Sequence, residues 1–352
     1  MSLYASLGVR RVVNACGIYT DLGGSRLSPA AWAAAEEANA TWASMDELLA
    51  RSGERIAELI GCEAARVVPG ASAGIVLSLA ALIARGDGPA MEALPAGDAR
   101  VVLQAGHAYK YARLASLAGA RAVPWFEDGV AAVLHPAHLD AAAKPLSAVA
   151  PLARSHGAGA VVDAAYLSFP LSEPARWTAD ADLACFSAKY FWGPNGGGFV
   201  AGRGEAVEWL AALDFTGYES GPWLTFGRAW KLDRATVCAT VAALEEWTRI
   251  DHAARWEGYG ELARALAARC GDLPGADCAL RQFTLDERLT DGPVNAVVVR
   301  GARDPAGVIA RMAAGDPSVR GMLDGDAVIL CTEALSATEA DEVAAALRSA
   351  WH

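Results

Sequence analysis

Short apolar runs of β type alternate along this chain with alanine- and leucine-rich helical stretches, and that alternation limits the fold more than any other feature. "ARVVP" precedes "SAGIVLSLAALIA", "RVVLQ" precedes "YKYARLASLAG", and "AVVD" follows "LSAVAPLARSHG". Repetition of this kind is the pattern of a mostly parallel sheet in an α/β fold, with helices on both faces. "DLACFS" and "GGFVAG" add two strands, so a large domain is expected over 45–233. From residue 234 the sequence "RATVCATVAALEEWTRIDHAARWEGYGELARALAARC" reads as one long linking helix without proline. "VNAVVVR", a helix near 305–314, "AVILC" and a last helix from "SATEADEVAAALRSAW" complete a smaller C-terminal α+β domain over 234–352. Ser336 with Glu339 three residues on is a capping box for that last helix.

Composition removes several classes of function. With 30 Lys+Arg against 41 Asp+Glu the net charge is −11, and the basic residues form no block, so no nucleic-acid partner is expected. The seven cysteines are odd in number, widely spaced and free of C-x-x-C, which argues against a disulfide framework or a zinc site and for a reducing, cytoplasmic compartment. No metal is expected. The N-terminus lacks the apolar core of a secretory signal. "ASAGIVLSLAALIA" is too short to span a bilayer, which takes about 20 residues, and reads as a buried helix.

In such a sheet the chemistry belongs at the carboxyl ends of the strands. Gly70, Ala71 and Ser72 follow one strand and open a helix whose free N–H groups suit a phosphate. His107, Asp163, Ser187 and Lys189 follow or end three others. Each has an ordinary explanation alone: a turn and cap, a loop histidine, a helix-capping carboxylate, a solvated charge. Together they supply what pyridoxal 5′-phosphate needs, namely a phosphate cradle, a flat ring, a carboxylate for the pyridine nitrogen and a lysine for the Schiff base.

The chain resembles fold-type I pyridoxal-phosphate enzymes of the branch containing bacterial selenocysteine synthase (seryl-tRNA selenium transferase) and D-glucosaminate-6-phosphate ammonia-lyase. The likeness runs through "GVRRVVNACGIYTDLGGSRLSP", "MDELLARSGERIAELIGCEAARVVPGASAG", "QAGHAYKYARLASLAGAR", "VVDAAY", "FSAKYFWGPNGGGFVAGR", "GRAWKLDRATVCATVAALEEW" and "GDPSVRGMLDGDAVIL". It implies that Lys189 is the Schiff-base lysine, that Asp163 pairs with the ring nitrogen, and that His107 stacks on the ring. His135 matches a strand-end histidine near the cofactor or substrate, whereas His138 reads as surface. It further implies a homodimer or a larger assembly of dimers, in which residues 1–44 pack on the small domain and on the partner.

Departures from the family pattern narrow the reading. Ser187-Ala188-Lys189 is one residue shorter than the usual Ser-Gly-x-Lys, which leaves Ser187's reach to the phosphate open. Tyr190, Phe191 and Trp192 suggest either a narrow apolar substrate side or packing beneath the loop. A helix-sized connection is missing between "VPWFEDG" and "AAVLHP". After the last strand, Glu333 stands where relatives often carry arginine, so Arg26 and Arg320 become candidates for the substrate carboxylate. Arg228 and Lys231 are candidates for reaching a phosphate across a subunit interface.

The expected reaction is a lyase reaction, α,β-elimination at the α-carbon of a small amino acid or derivative. Transamination, racemisation or another group transfer is the alternative. A selenium transferase or a non-catalytic pyridoxal-phosphate-binding protein comes third. Against tRNA stand the negative charge and a match that begins by Gly8, with no expected separate RNA-binding domain before it.

Overall fold

A computed structural model describes residues 2–103, 109–142 and 144–351. The chain forms two compact units, one of residues 25–249 and one that joins 1–24 to 250–352. The first boundary thus falls after Gly24 instead of residue 44, and the second after Arg249 instead of residue 233. Packing explains both corrections, as the following elements show.

The smaller unit begins with α1 (Leu3–Ser6) and β1 (Val12–Asn14). The larger unit then contributes α2 (Pro29–Ala40), α3 (Met45–Ile60), β2 (Ala64–Val68), α4 (Gly70–Ala84), α5 (Gly88–Ala93), β3 (Ala99–Leu103), α6 (Leu114–Leu117), β4 (Ala120–Val123) and β5 (Val130–Pro136). It continues through α7 (Leu146–Ser155), β6 (Gly159–Asp163), α8 (Glu173–Asp180), β7 (Leu183–Ser187), β8 (Gly198–Gly202), α9 (Gly204–Leu213), α10 (Phe215–Ser220) and α11 (Arg234–Trp247). Helices α2 and α3 both pack on α11, which keeps residues 25–44 and 234–247 with the large sheet.

That sheet has the order β2-β8-β7-β6-β5-β3-β4. Only β8 runs antiparallel to its neighbours, so β2 and β3 to β7 all end at one edge, where β8 begins. The inner strands are covered on both faces and read as continuous apolar runs for that reason. On one face lies α4, buried along nearly its whole length. Gly74 permits the contact, because a Cβ there would come within 2.9 Å of Val200 Cγ2. On the other face the Phe186 and Phe199 rings stack 4.8 Å apart.

The predicted single helix from 234 is two. Helix α11 ends at Trp247, and α12 (His252–Cys270) starts afresh with the Asp251 carboxylate accepting from the Ala253 and Ala254 N–H groups. The smaller unit then builds the sheet β10-β9-β11-β14-β13 from β9 (Asp277–Phe283), β10 (Leu289–Thr290), β11 (Ala296–Arg300), β13 (Met322–Asp324) and β14 (Ala327–Cys331). Helices α13 (Pro305–Ala314) and α14 (Ala337–Ala350) flank it, the latter with the predicted capping box. Residues 1–24 belong here because β1 pairs in parallel with β12 (Ser318–Arg320).

Candidate active site

Four of the predicted strand-end groups share one edge of the large sheet. Asp163 is the last residue of β6, 5% exposed, and register pairs it with Cys185 of β7. Cys185 Sγ lies 3.6 Å from Ser78 Oγ of α4, so Asp163 is on the α4 face. Ser187 ends β7, and Lys189 sits in the 3₁₀ turn Ala188–Phe191 that follows, 8% exposed. Its Nζ lies 4.8 Å from the centre of the Tyr190 ring, within the range of a cation–π attraction. Gly70 opens α4 in the left-handed region at φ +82°, and the space its Cβ would take is open. Gly198 lets β8 start against this turn, since a Cβ there would meet Phe186 O at 2.4 Å and Gly70 Cα at 3.0 Å. Ser72 is exposed at the same helix start.

Asp163 is held by two neutral donors. Tyr109 O–H donates to Oδ2 at 2.7 Å, and Ala165 N–H donates to Oδ1 at 3.2 Å. Burial raises the carboxyl above its ordinary value, while the Tyr109 and Ala165 hydrogen bonds and the nearby His138 oppose the rise.

His138, read from the sequence as a surface residue, is instead part of this cluster. It is half-buried, its ring centroid 5.8 Å from Tyr109 and 6.1 Å from Tyr166, and Tyr166 in turn lies 6.1 Å from Tyr190. Aromatic rings therefore line the way from Asp163 to Lys189. The available signals were an aromatic pair in "YKY" and a second histidine two residues past a strand end.

The remaining predicted residues are placed as follows. His107 lies outside the described residues. His135 is fully buried and is in register with Val162, on the opposite face from Asp163, where it packs against Trp177 at 5.8 Å. Arg26 and Lys231 are exposed, and Arg228 is paired with Glu219. Arg320 belongs to the smaller unit, exposed at the end of β12. Phe191 is buried 6.0 Å from Phe199, and Trp192 meets Trp247 edge-on at 5.2 Å, so these two pack beneath the loop while Tyr190 faces Lys189.

The donor set fits pyridoxal phosphate. A buried carboxylate that accepts from a phenol and an amide suits a cationic ring nitrogen, the open first turn of α4 suits a phosphate, and a buried lysine stands one strand away. Among the described residues no cluster of His, Cys, Asp or Glu could hold a metal ion, and no helix is long and apolar enough to cross a membrane.

No known family profile matches the chain. It is 29% identical over 346 residues to the 5′-C-glycyluridine monooxygenase-decarboxylase of a Streptomyces species, covering 90% of this chain and 83% of that one. It is 28% identical over 273 residues to the D-glucosaminate-6-phosphate ammonia lyase of Salmonella typhimurium, covering 70% of each. Among solved structures, a D-glucosaminate-6-phosphate ammonia-lyase superposes with a TM-score of 0.83 at 22% identity, over 99% of this chain and 98% of that one. The serine palmitoyltransferase of Sphingomonas wittichii follows at 0.53 and 15%, over 97% and 87%. The chain therefore has the fold of the fold-type I pyridoxal-phosphate-dependent enzymes, and it is similar in sequence to D-glucosaminate-6-phosphate ammonia lyase.

Proposed function

We propose that the protein is a pyridoxal-phosphate-dependent lyase that removes the α-proton of a small amino acid or derivative and expels a β-substituent. The observation that carries this is the pair of buried, chemically complementary groups, Asp163 and Lys189, at the ends of adjacent strands β6 and β7. Bound there, pyridoxal phosphate supplies a carbonyl for the substrate amine and an electron sink for negative charge at Cα. Asp163 would hold the ring nitrogen, and the first turn of α4 with Ser72 would hold the phosphate. Lys189 would anchor the cofactor covalently and, once displaced by the substrate amine, take the α-proton and return it to the leaving group. Its burial keeps competing water from that proton.

A second reading has one specific support. In the sequence match the Streptomyces relative covers 90% of the chain against 70% for the Salmonella lyase, and its name describes monooxygenation and decarboxylation. Loss of the carboxyl group draws on the same electron sink, so the substrate's orientation and the use of dioxygen as oxidant separate the two. Transamination and racemisation use that sink as well. One experiment separates elimination, oxidative decarboxylation and transamination. The cofactor-loaded protein is incubated with a panel of amino acids and their nucleoside and sugar-phosphate derivatives, with and without dioxygen, while ammonia, keto acid, carbon dioxide and the cofactor's form are assayed together. Ammonia with the cofactor still an aldehyde supports elimination. Carbon dioxide that depends on dioxygen overturns it in favour of oxidative decarboxylation, and cofactor left as the amine overturns it in favour of transamination.

The assembly we infer is a two-fold homodimer in a reducing cytoplasm. All seven cysteines are free thiols, and Leu3, Tyr4, Leu7, Trp32 and Trp42 are each more than half exposed, which leaves apolar surface to cover. In that dimer Arg228 and Lys231 would complete the partner's site. Mixing inactive Lys189→Ala chains with inactive Arg228→Ala/Lys231→Ala chains then restores part of the activity; a fully active monomer would exclude the arrangement.

A further inference from the structure

The family resemblance assigns Tyr109 no role, and its hydrogen bond to Asp163 gives it one. The residue lies in the segment after β3, 2% exposed, with its ring in the core beneath α4. Its hydroxyl and the Ala165 amide reach different oxygens of the same carboxylate, which fixes the rotation of that group about its Cβ–Cγ bond. At 2.7 Å the Tyr109 contact has the length of a bond to a charged acceptor.

We propose that Tyr109 is a positioning residue: its hydroxyl orients the Asp163 carboxylate toward the cofactor's ring nitrogen and holds it in the ionised form. The inference rests on the reading of Asp163 as that nitrogen's partner. The reason such a residue is needed is burial. A carboxyl at the end of an inner strand, covered on both faces, is driven toward its neutral form, and a neutral acid cannot hold a proton on the ring nitrogen by charge. Three groups oppose this: the Tyr109 hydroxyl, the Ala165 amide and His138 in the turn after β5. On the β7 side the neighbouring group is the Cys185 thiol, which burial keeps protonated. Tyr109 keeps its proton at neutral pH, because burial first and the Asp163 charge second push its hydroxyl far up.

The test replaces Tyr109 by Phe, which removes one oxygen and keeps the ring. The first reading uses the cofactor-free protein, in which the Asp163 carboxyl is titrated by carbon-13 NMR. Its ionisation constant should fall roughly tenfold to a hundredfold, the equivalent of losing one hydrogen bond to a charged group. The second loads the protein with ring-nitrogen-15 pyridoxal phosphate. In Y109F the nitrogen resonance should move toward the neutral pyridine, in the direction given by Asp163→Asn, and kcat should fall with KM little changed. A purely structural role would lower the unfolding temperature and leave both resonances in place, and that result overturns the proposal. If Asp163→Asn shifts the ring nitrogen and Y109F does not, Tyr109 alone is misassigned. If neither shifts it, the reading of Asp163 fails and this inference falls with it. Should Y109F not fold, 3-fluorotyrosine at 109 is a stronger donor of nearly the same shape. The Asp163 midpoint must then drop, and an unchanged midpoint is equally decisive against the proposal.

Discussion

Asp214 and Asp163 are both buried in the larger unit, 3% and 5% exposed, and they are held in opposite ways. Asp214 comes with its own cation. Arg66 Nε donates to its Oδ2 at 2.9 Å and reaches Thr216 Oγ1 with Nη2 at 2.7 Å, while the Thr216 and Gly217 amides and the Thr216 hydroxyl donate to Oδ1. That cluster is complete within the chain and ties β2 to the start of α10. Asp163 receives a phenol and one amide, and burial raises its carboxyl. A buried acid that brings its counter-charge is a structural device, whereas one left with neutral donors at a strand end is suited to a cationic ligand.

The largest expected effect separates the two sites by function. Lys189→Ala should abolish the visible absorption of lysine-bound cofactor and lower turnover by roughly a thousandfold, the middle of the range for losing a positioned acid–base group. Borohydride reduction and peptide mapping of the wild-type protein should tag Lys189. A different tagged lysine would move the site. Arg66→Met should leave the cofactor's spectrum unchanged.

The next effect separates them by stability. Asp214→Asn leaves the Arg66 guanidinium buried without its anion and should cost about 3–5 kcal/mol in urea unfolding. Asp163→Asn, measured in the cofactor-free protein at neutral pH, should cost little or nothing. The sign follows from linkage. A carboxyl whose folded value is raised contributes stability below its unfolded value and loses it as pH rises through the folded one, so an amide removes a penalty at neutral pH. Equal losses for the two variants would erase the distinction. A smaller effect is expected at Gly198, where a methyl group would press on the Phe186 carbonyl and on Gly70. Gly198→Ala should destabilise the fold by about 1–3 kcal/mol and weaken phosphate-dependent cofactor binding, read as a larger rise in Kd for pyridoxal phosphate than for pyridoxal.

Residues that follow apolar runs were legible from the sequence alone. Asp163, Ser187 and Lys189 each interrupt such a run, and a polar group at that point of a parallel sheet has a known place in space. The first strands and helices were legible for the same reason, as period and composition are local. Tyr109 and His138 were not legible, because their value lies in meeting Asp163 across 54 and 25 positions of chain, a juxtaposition that β3, β5 and β6 create only when paired. His135 misled through parity: one residue along a strand exchanges faces, and it sits opposite Asp163. The break at residues 248–251 carried only the weak signal of Asp251 as a cap, since no proline or glycine marks it.

Glu333 sharpens the comparison from the smaller unit. It stands just after β14, where the family pattern often has arginine, and burial raises its carboxyl from an ordinary 4.5 to about 7, with Arg255 and the Cys331 thiol opposing the rise. Gly17 packs so close that a Cβ on it would lie 2.8 Å from Glu333 Oε1. Like Asp163, this acid is disfavoured as an anion, but a cationic side chain is already beside it, so it stands between the two cases. The stability it contributes is fully present below pH 4.5 and is lost as pH rises through about 7. The whole displacement is equivalent to about 3 kcal/mol, and because Glu333 is only partly covered, solvent screening brings the measurable effect toward about 1 kcal/mol. Glu333→Gln should therefore match the wild type in unfolding free energy at pH 4 and exceed it by about that amount at pH 8, with the change centred between the two values. A variant less stable than wild type at pH 8 would mean that Glu333 and Arg255 form a net-stabilising ion pair. Glu333 would then belong with Asp214 and not with Asp163.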